Sequence, residues 1–217
     1  MRVPVNGSTE AGRRRQFRAH ETRLRVIEAA TRLFLERGYV ATTVQAIAGD
    51  AGVAPATIYQ AFGTKHAVLA AALDVTVAGD GTALVVVDRD WVAEAQREPD
   101  PQRQLRLIIE GATRIAARTA PLKEVMRDAA ATEPKARELI RQDHERRHRT
   151  QEGFVDLLIE HRPLRAGIDR GRAVDTFFAL VNSATHDLLV TDRGWSMAEW
   201  QDWLIALISR ELFETRN

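Results

Sequence analysis

From Glu21 onward, Leu24, Ile27, Ala30, Leu33 and Phe34 recur at spacings of three and four until Gly38. This pattern predicts an amphipathic helix over about residues 21–37, closed by a glycine C-cap. Val44, Ile47 and Ala48 follow behind Thr42-Thr43, predicting a short hydroxyl-capped helix that ends near Gly52. A second short helix holds Pro55 in its first turn, where a missing N–H costs nothing, and runs through Ile58, Tyr59 and Phe62 to Gly63. Two short helices joined at Ala51-Gly52-Val53 read as a helix-turn-helix, whose second member suits a DNA major groove. Thr64 then caps a fourth helix through Val68, Leu69, Leu73 and Val77 toward Gly79.

The pattern weakens between Gly79-Asp80-Gly81 and Trp91, where Val85-Val86-Val87 without a partner strand is read as coil or frayed helix. Pro99 and Pro101 separate a short helix from a longer one with Leu105, Ile108, Ile109, Ala112, Ile115 and Ala116 on one face. Pro121 is expected to begin another helix, and Pro134 a long one reaching about Arg162. Two last helices are expected over roughly 172–191 and 196–214, with Ser196 as N-cap. The fold class is therefore all-α, without internal repeats. The expected organisation is a flexible basic arm over residues 1–19, a helix-turn-helix domain over 20–66, and a helical ligand-binding and dimerisation domain over 67–217.

Composition narrows the chemistry. Of 217 residues, 45% are hydrophobic and 28% charged, ordinary for a soluble globular chain, and no cysteine is present. Disulfides, cysteine zinc fingers, iron–sulfur clusters and thiol nucleophiles are thereby excluded. No apolar run approaches the roughly 20 residues that span a bilayer, and no signal peptide is visible, so a cytoplasmic location without membrane partners is expected. The net charge of +1 hides an asymmetry. Residues 1–66 carry ten Lys/Arg against five Asp/Glu, and the remainder 21 against 25. A basic N-terminal end, including Arg13, Arg14, Arg15 and Arg18, fits either a nucleic-acid-facing segment or a solvated tail.

The run TTVQAIAGDAGVAPATIYQAFGTKHAVLAAAL, Thr42 to Leu73, together with FLERGYVATT before it, resembles the DNA-binding half of the TetR family of bacterial transcriptional regulators. The resemblance covers about residues 22–73. Thr43, at a helix N-terminus, can offer its hydroxyl and free N–H groups to a phosphate while also serving as an N-cap. Tyr59 and Lys65 resemble the family's backbone-contacting tyrosine and lysine; Tyr59 is equally a residue type for a core. Lys65 sits in the first turn of a helix, where cations are disfavoured, so a phosphate partner is the expected reason for it. Base readout falls to Pro55, Ala56, Thr57 and Gln60, with Gln60 able to pair bidentately with adenine and the methyl-bearing groups suited to thymine. Ala54-Pro55-Ala56 and Gln60-Ala61 depart from the commonest family pattern, so the operator sequence does not transfer from relatives.

His144-Glu145-Arg146-Arg147-His148 matches H-E-x-x-H, which places two imidazoles on one helix face with a glutamate base, and zinc peptidase chemistry is the competing reading. Its flanks lack the metzincin extension, with Gln151 and Phe154 at the positions wanted for Gly and His, and Arg141, Arg147 and Arg149 would repel a dication. No catalytic triad, phosphate-binding glycine loop or dinucleotide fingerprint is present, and no cofactor is expected. On the same stretch Asp143, His144, Arg147 and Gln151 interrupt an apolar stripe, and in the next helix Asn182 and His186 do likewise. Polar groups on a packed face need partners. The resemblance implies a ligand cavity there, with Met126, Phe154 and Phe178 as apolar walls; interhelical hydrogen bonds and solvent exposure are the plainer reading.

The last two predicted helices carry Phe177, Val181 and Leu188, then Trp200, Trp203, Leu204, Leu207 and Ile208, more apolar surface than such a pair needs for itself. The resemblance places a dimer interface in these helices. The function expected is that of a homodimeric repressor bound to a double-stranded DNA operator and released by a small-molecule effector. A ligand-independent regulator or activator is the alternative within the class.

Overall fold

A computed structural model describes residues 10–79, 86 and 89–214, and divides the chain into two compact units, Met1–Ala72 and Leu73–Asn217. Among the described residues every regular element is helical: α1 (Glu10–Ala41), α2 (Val44–Ala51), α3 (Pro55–Phe62), α4 (Lys65–Ala78), α5 (Asp90–Arg97), α6 (Pro101–Thr132), α7 (Pro134–His161), α8 (Arg170–Leu180), α9 (Ser183–His186), a π-helical turn (Asp187–Asp192) and α10 (Met197–Leu212). Among the described residues no helix is long and apolar enough to cross a membrane.

In the first unit most of the expected apolar positions turn inward, with Tyr59 the exception. Ile27, Ala30, Leu33 and Phe34 of α1, Ile47 and Ala48 of α2, Ile58 of α3 and Val68 and Leu69 of α4 are each at most 4% exposed. At roughly 1.5–3 kcal/mol per large apolar side chain, this burial stabilises the three-helix head far more than the helix propensity of eight-residue segments can. Gly38, at φ 74°, kinks α1 and turns the chain toward α2. The bend is tied down by Thr42, whose buried hydroxyl donates to the carbonyls of Leu33 (3.0 Å) and Gly38 (2.8 Å). Arg23 of α1 reaches α3, donating to the Ala61 carbonyl at 3.2 Å and lying 4.2 Å above the Phe62 ring.

The first helix starts earlier than its apolar pattern indicates. Residues 10–19, expected in the flexible arm, continue α1, with an Arg14–Glu10 ion pair at 2.9 Å one turn apart. A segment without an apolar face still extends a helix already nucleated by its neighbour, because propagation adds a hydrogen bond for each residue fixed. Arg2 and the rest of the expected arm, and Val85 and Val87, lie outside the described residues.

In the second unit α6 packs on α5, α7 and α9, while α10 packs on α6 and α8. Their core gathers Ile108, Phe154, Phe177, Trp200, Leu204 and Ile208. Pro121 does not begin a helix; it lies within the continuous α6. The ring removes a backbone hydrogen bond, a penalty of about 3 kcal/mol. Burial of Ala116, Ala120, Leu122 and Val125 on both sides of it holds the helix together. At Gly111 of the same helix the indole of Trp91 packs so closely that an added Cβ would lie 2.4 Å from it. The helix expected over 172–191 is broken after Leu180, where Val181 leaves helical dihedrals and Asn182 starts α9. Ser196 caps α10 as expected, in a reciprocal capping box with Glu199. An antiparallel bridge between Leu164 and Phe213, with Arg165 N–H donating to the Leu212 carbonyl at 2.8 Å, fastens the end of α10 beside the end of α7.

Candidate nucleic-acid interface and a buried polar cluster

A threonine cap, a glycine turn and a first-turn proline build the helix-turn-helix. The Thr43 hydroxyl accepts from the Ala46 N–H at 3.0 Å to start α2. Gly52, in the left-handed region at φ 65°, ends α2 with N–H bonds back to Ala48 and Gly49. Pro55 occupies the first turn of α3, and Ile58 is the buried residue that anchors this helix to the core. Pro55, Ala56 and Gln60 stand exposed, Thr57 half-buried, and Tyr59 is 49% exposed although its hydroxyphenyl body could have filled a core. An exposed face of proline, two small residues, a tyrosine and a glutamine, held rigid by one buried isoleucine, is available to a groove.

Lys65 differs from its expected role in one respect. Its ammonium donates to the Tyr39 carbonyl at 2.8 Å and lies 3.9 Å over the Tyr39 ring. The lysine thus has a structural reason to be basic: it compensates carbonyls at the end of α1, where a cation is favoured. Its place in a first turn therefore does not by itself call for a phosphate partner. Thr42 and Arg23 were not singled out by pattern, since a buried hydroxyl and a cation over a ring leave no periodic trace.

In the second unit α7 and α8 bring Asp143, His144, Arg147, Gln151 and Phe178 together. Arg147 lies 3.7 Å over the Phe178 ring and its Nη1 donates to the carbonyls of Phe178 (3.2 Å) and Val181 (3.1 Å). Gln151, 4% exposed, donates Nε2 to the same Val181 carbonyl at 2.9 Å. These carbonyls are free because the helix stops there. The break after Leu180 thus supplies the acceptors and α7 the donors. His144, more exposed, meets the Phe178 ring edge-on at 5.9 Å. Asp143 pairs with Lys123 of α6 at 3.1 Å, both almost buried; Lys123 was not anticipated. Burial lowers the Lys123 pKa, only partly offset by Asp143. Burial likewise lowers Arg147, to about 10, leaving it protonated at neutral pH. His144 is lowered by burial and then by Arg147.

Other expected ligand contacts are placed elsewhere. Asn182 is an N-cap: its Oδ1 accepts from Ala184 and Thr185 N–H groups, and its Nδ2 donates to the Ala179 carbonyl at 2.6 Å. Phe154 packs into the core against Trp91 and Phe177, and Met126 is buried. His186 contacts Asp187 at 3.2 Å and the Trp200 ring. Among the expected dimer residues, Phe177, Val181, Trp200, Leu204 and Ile208 are at most 2% exposed within a single chain, so they have no surface left to lose to a partner. Leu188, 56% exposed, and the half-buried Trp203 and Leu207 remain. The broken helix explains the surplus: α8, α9 and the π-helical turn wrap the apolar face of α10.

Among the described residues no group of three His, Asp or Glu side chains could hold a metal ion. His148 instead faces Asp175 at 3.4 Å and Glu152 at 3.9 Å. The arrangement defines an all-helical protein with an N-terminal helix-turn-helix and a separate helical unit. Residues 26–72 match the sequence profile of bacterial regulatory proteins, tetR family. The chain is 34% identical over 120 residues to the HTH-type transcriptional regulator TtgR of Pseudomonas putida, covering 52% of this chain and 53% of TtgR. It is 49% identical over 49 residues to the regulator HbdR of Aromatoleum, covering 23% and 21%. The chain thus spans about half or less of the length of these curated relatives. The fold is similar to that of FadR from Bacillus subtilis, solved in complex with stearoyl-CoA (TM-score 0.66, 19% identity, 85% of this chain and 96% of that one). It is also similar to NalD, the secondary repressor of the MexAB-OprM multidrug efflux pump in Pseudomonas aeruginosa (TM-score 0.65, 20% identity, 90% and 98%). Residues 26–72 therefore carry the tetR-family sequence pattern, and the described chain shares its fold with these solved structures.

Proposed function

We propose that the protein is a homodimeric transcriptional repressor that binds a near-palindromic operator through α2 and α3 and leaves it when a small molecule binds the second unit. The observation that carries this reading is the exposed face of α3, where Pro55, Ala56, Tyr59 and Gln60 stand clear of the core on a helix fixed by Ile58. Gln60 and Thr57 read base edges, Ala56 and Pro55 meet thymine methyls, and Thr43, Tyr59 and Lys65 position the duplex through its phosphates. Two such heads must meet successive major grooves about 34–36 Å apart, so a ligand that favours a dimer with another spacing releases DNA by population shift. The buried polar cluster around Arg147 is the effector site on this reading, and Leu188, Trp203 and Leu207 contribute to the dimer surface. Mounting the purified protein on a random duplex library tests the function directly. Enrichment of a two-fold symmetric site, with choice relaxed at one base pair of each half-site in Gln60→Ala, is expected; enrichment of no sequence overturns the reading.

A further inference from the structure

The charges of the buried cluster do not balance. Lys123 and Asp143 neutralise each other at 3.1 Å, and none of the ion pairs among the described residues includes Arg147. Its guanidinium is held on one side only: Nη1 is committed to the Phe178 and Val181 carbonyls and the π face to the Phe178 ring. The opposite edge, Nε and Nη2, makes no hydrogen bond, and Nε is fully buried. Gln151, anchored on the same Val181 carbonyl, has a buried Oε1 that likewise lacks a partner. A part-buried cation outside any ion pair, with a buried Nε and a nearby buried Oε1 that both lack partners, is costly unless something supplies them.

The Nε–Nη2 edge of an arginine presents two parallel N–H donors at the spacing of a carboxylate's oxygens. We infer that the effector of this protein is an organic carboxylic acid whose carboxylate docks side-on against Nε and Nη2 of Arg147, with a hydroxyl or amide N–H of the same molecule donating to Gln151. The inference rests on the reading of this cluster as the effector site. The acid's apolar frame lies along Phe178, as the mixture of one charged anchor and aromatic walls requires. Bound there, the carboxylate brings the cluster to neutrality and satisfies the orphaned Nε. A neutral or cationic ligand does neither.

The test is a set of matched pairs, each acid beside its own primary amide: benzoate, phenylacetate, decanoate and 3-hydroxydecanoate. Binding to the full chain is measured by calorimetry. At least one acid is expected to bind tenfold or more tighter than its amide, with the preference falling to threefold or less in Arg147→Gln and surviving in part in Arg147→Lys. Because Arg147→Gln also removes bonds to two carbonyls, its helical circular dichroism is checked. A second readout needs no variant: in protein labelled at arginine Nε, one Nε–H resonance shifts downfield on adding the acid and not the amide. Equal binding of acids and amides overturns the carboxylate assignment while the effector site stands. A preference that persists in Arg147→Gln, or the absence of binding by every acid, overturns the assignment as well. An acid that binds through Arg147 yet leaves operator affinity unchanged refutes the effector reading and leaves the carboxylate site intact.

Discussion

The ammonium of Lys65 and the backbone carbonyl of Tyr39 lie 2.8 Å apart, joining the start of α4 to the end of α1 across the helix-turn-helix. The same charge sits over the Tyr39 ring, which itself stacks on Phe34 at 5.7 Å. Replacing Lys65 by Ala removes a charged donor and a cation–π contact together. The expected loss of stability is about 2 kcal/mol in urea unfolding. In DNA binding the same variant weakens all sequences alike and lowers the salt slope by about 1. Unchanged stability would show the Tyr39 contact to be idle.

Gln60 gives the complementary case. Exposed and unbonded to the core, it contributes to stability within about 0.5 kcal/mol either way. Gln60→Ala is expected to weaken operator binding by about 1–3 kcal/mol and to relax choice at a single base pair. Equal losses on operator and scrambled duplexes would refute base readout by this residue.

The first unit was readable because its spacing, caps and glycines all agree, each acting over a few residues. Thr43, Gly52, Pro55 and Ser196 stand where local chemistry puts them. What escaped were contacts between residues far apart in sequence. Lys123 meets Asp143 only because α6 lies on α7, and Asn182 resembles a polar intruder in a stripe until the helix is seen to break beneath it. Apolar count likewise says how much surface must be covered and not by what: Trp200 and Leu204 are covered by their own chain.

That distinction separates two glutamate substitutions on α10. Leu207, half-buried, is expected to tolerate Glu within the folded chain while the dimer weakens by several kcal/mol. Leu204, with no exposure, is expected to unfold the second unit on the same change. Sedimentation and circular dichroism of the two variants check this, and a Leu207→Glu protein that stays dimeric removes α10 from the interface.

The Lys123–Asp143 pair predicts a strongly non-additive response. Lys123→Met strands a buried carboxylate and should cost about 3–5 kcal/mol, most of it recovered in Lys123→Met/Asp143→Leu. Burial lowers the folded-state pKa of Lys123, so between that value and 10.5 the unfolded chain holds more protons, and stability from this group rises with pH through that window. The native protein should therefore gain on the double variant as pH climbs toward 10.5. A constant difference in denaturation midpoint would contradict the lowered pKa.

Gly111 and Trp91 offer a steric test. Gly111→Ala drives a Cβ to 2.4 Å from the indole and is expected to cost about 1–3 kcal/mol. Trimming the ring relieves the clash, so Gly111→Ala in a Trp91→Leu background should be nearly free. Additive losses in the double-mutant cycle would mean that the two residues do not meet.

The bridge from Leu164 to Phe213 closes a loop that contains α8, α9, the π-helical turn and α10. Arg162 adds a second tie, stacking 4.7 Å over the Phe213 ring. During synthesis this loop stays open until the last turn of α10 has cleared the ribosome, whereas the helix-turn-helix head is complete much earlier. A nascent chain thus completes the exposed face of α3 well before it can close the unit that holds Arg147. On the proposed function, the order of emergence alone would let a growing polypeptide touch nucleic acid before it can be told to let go.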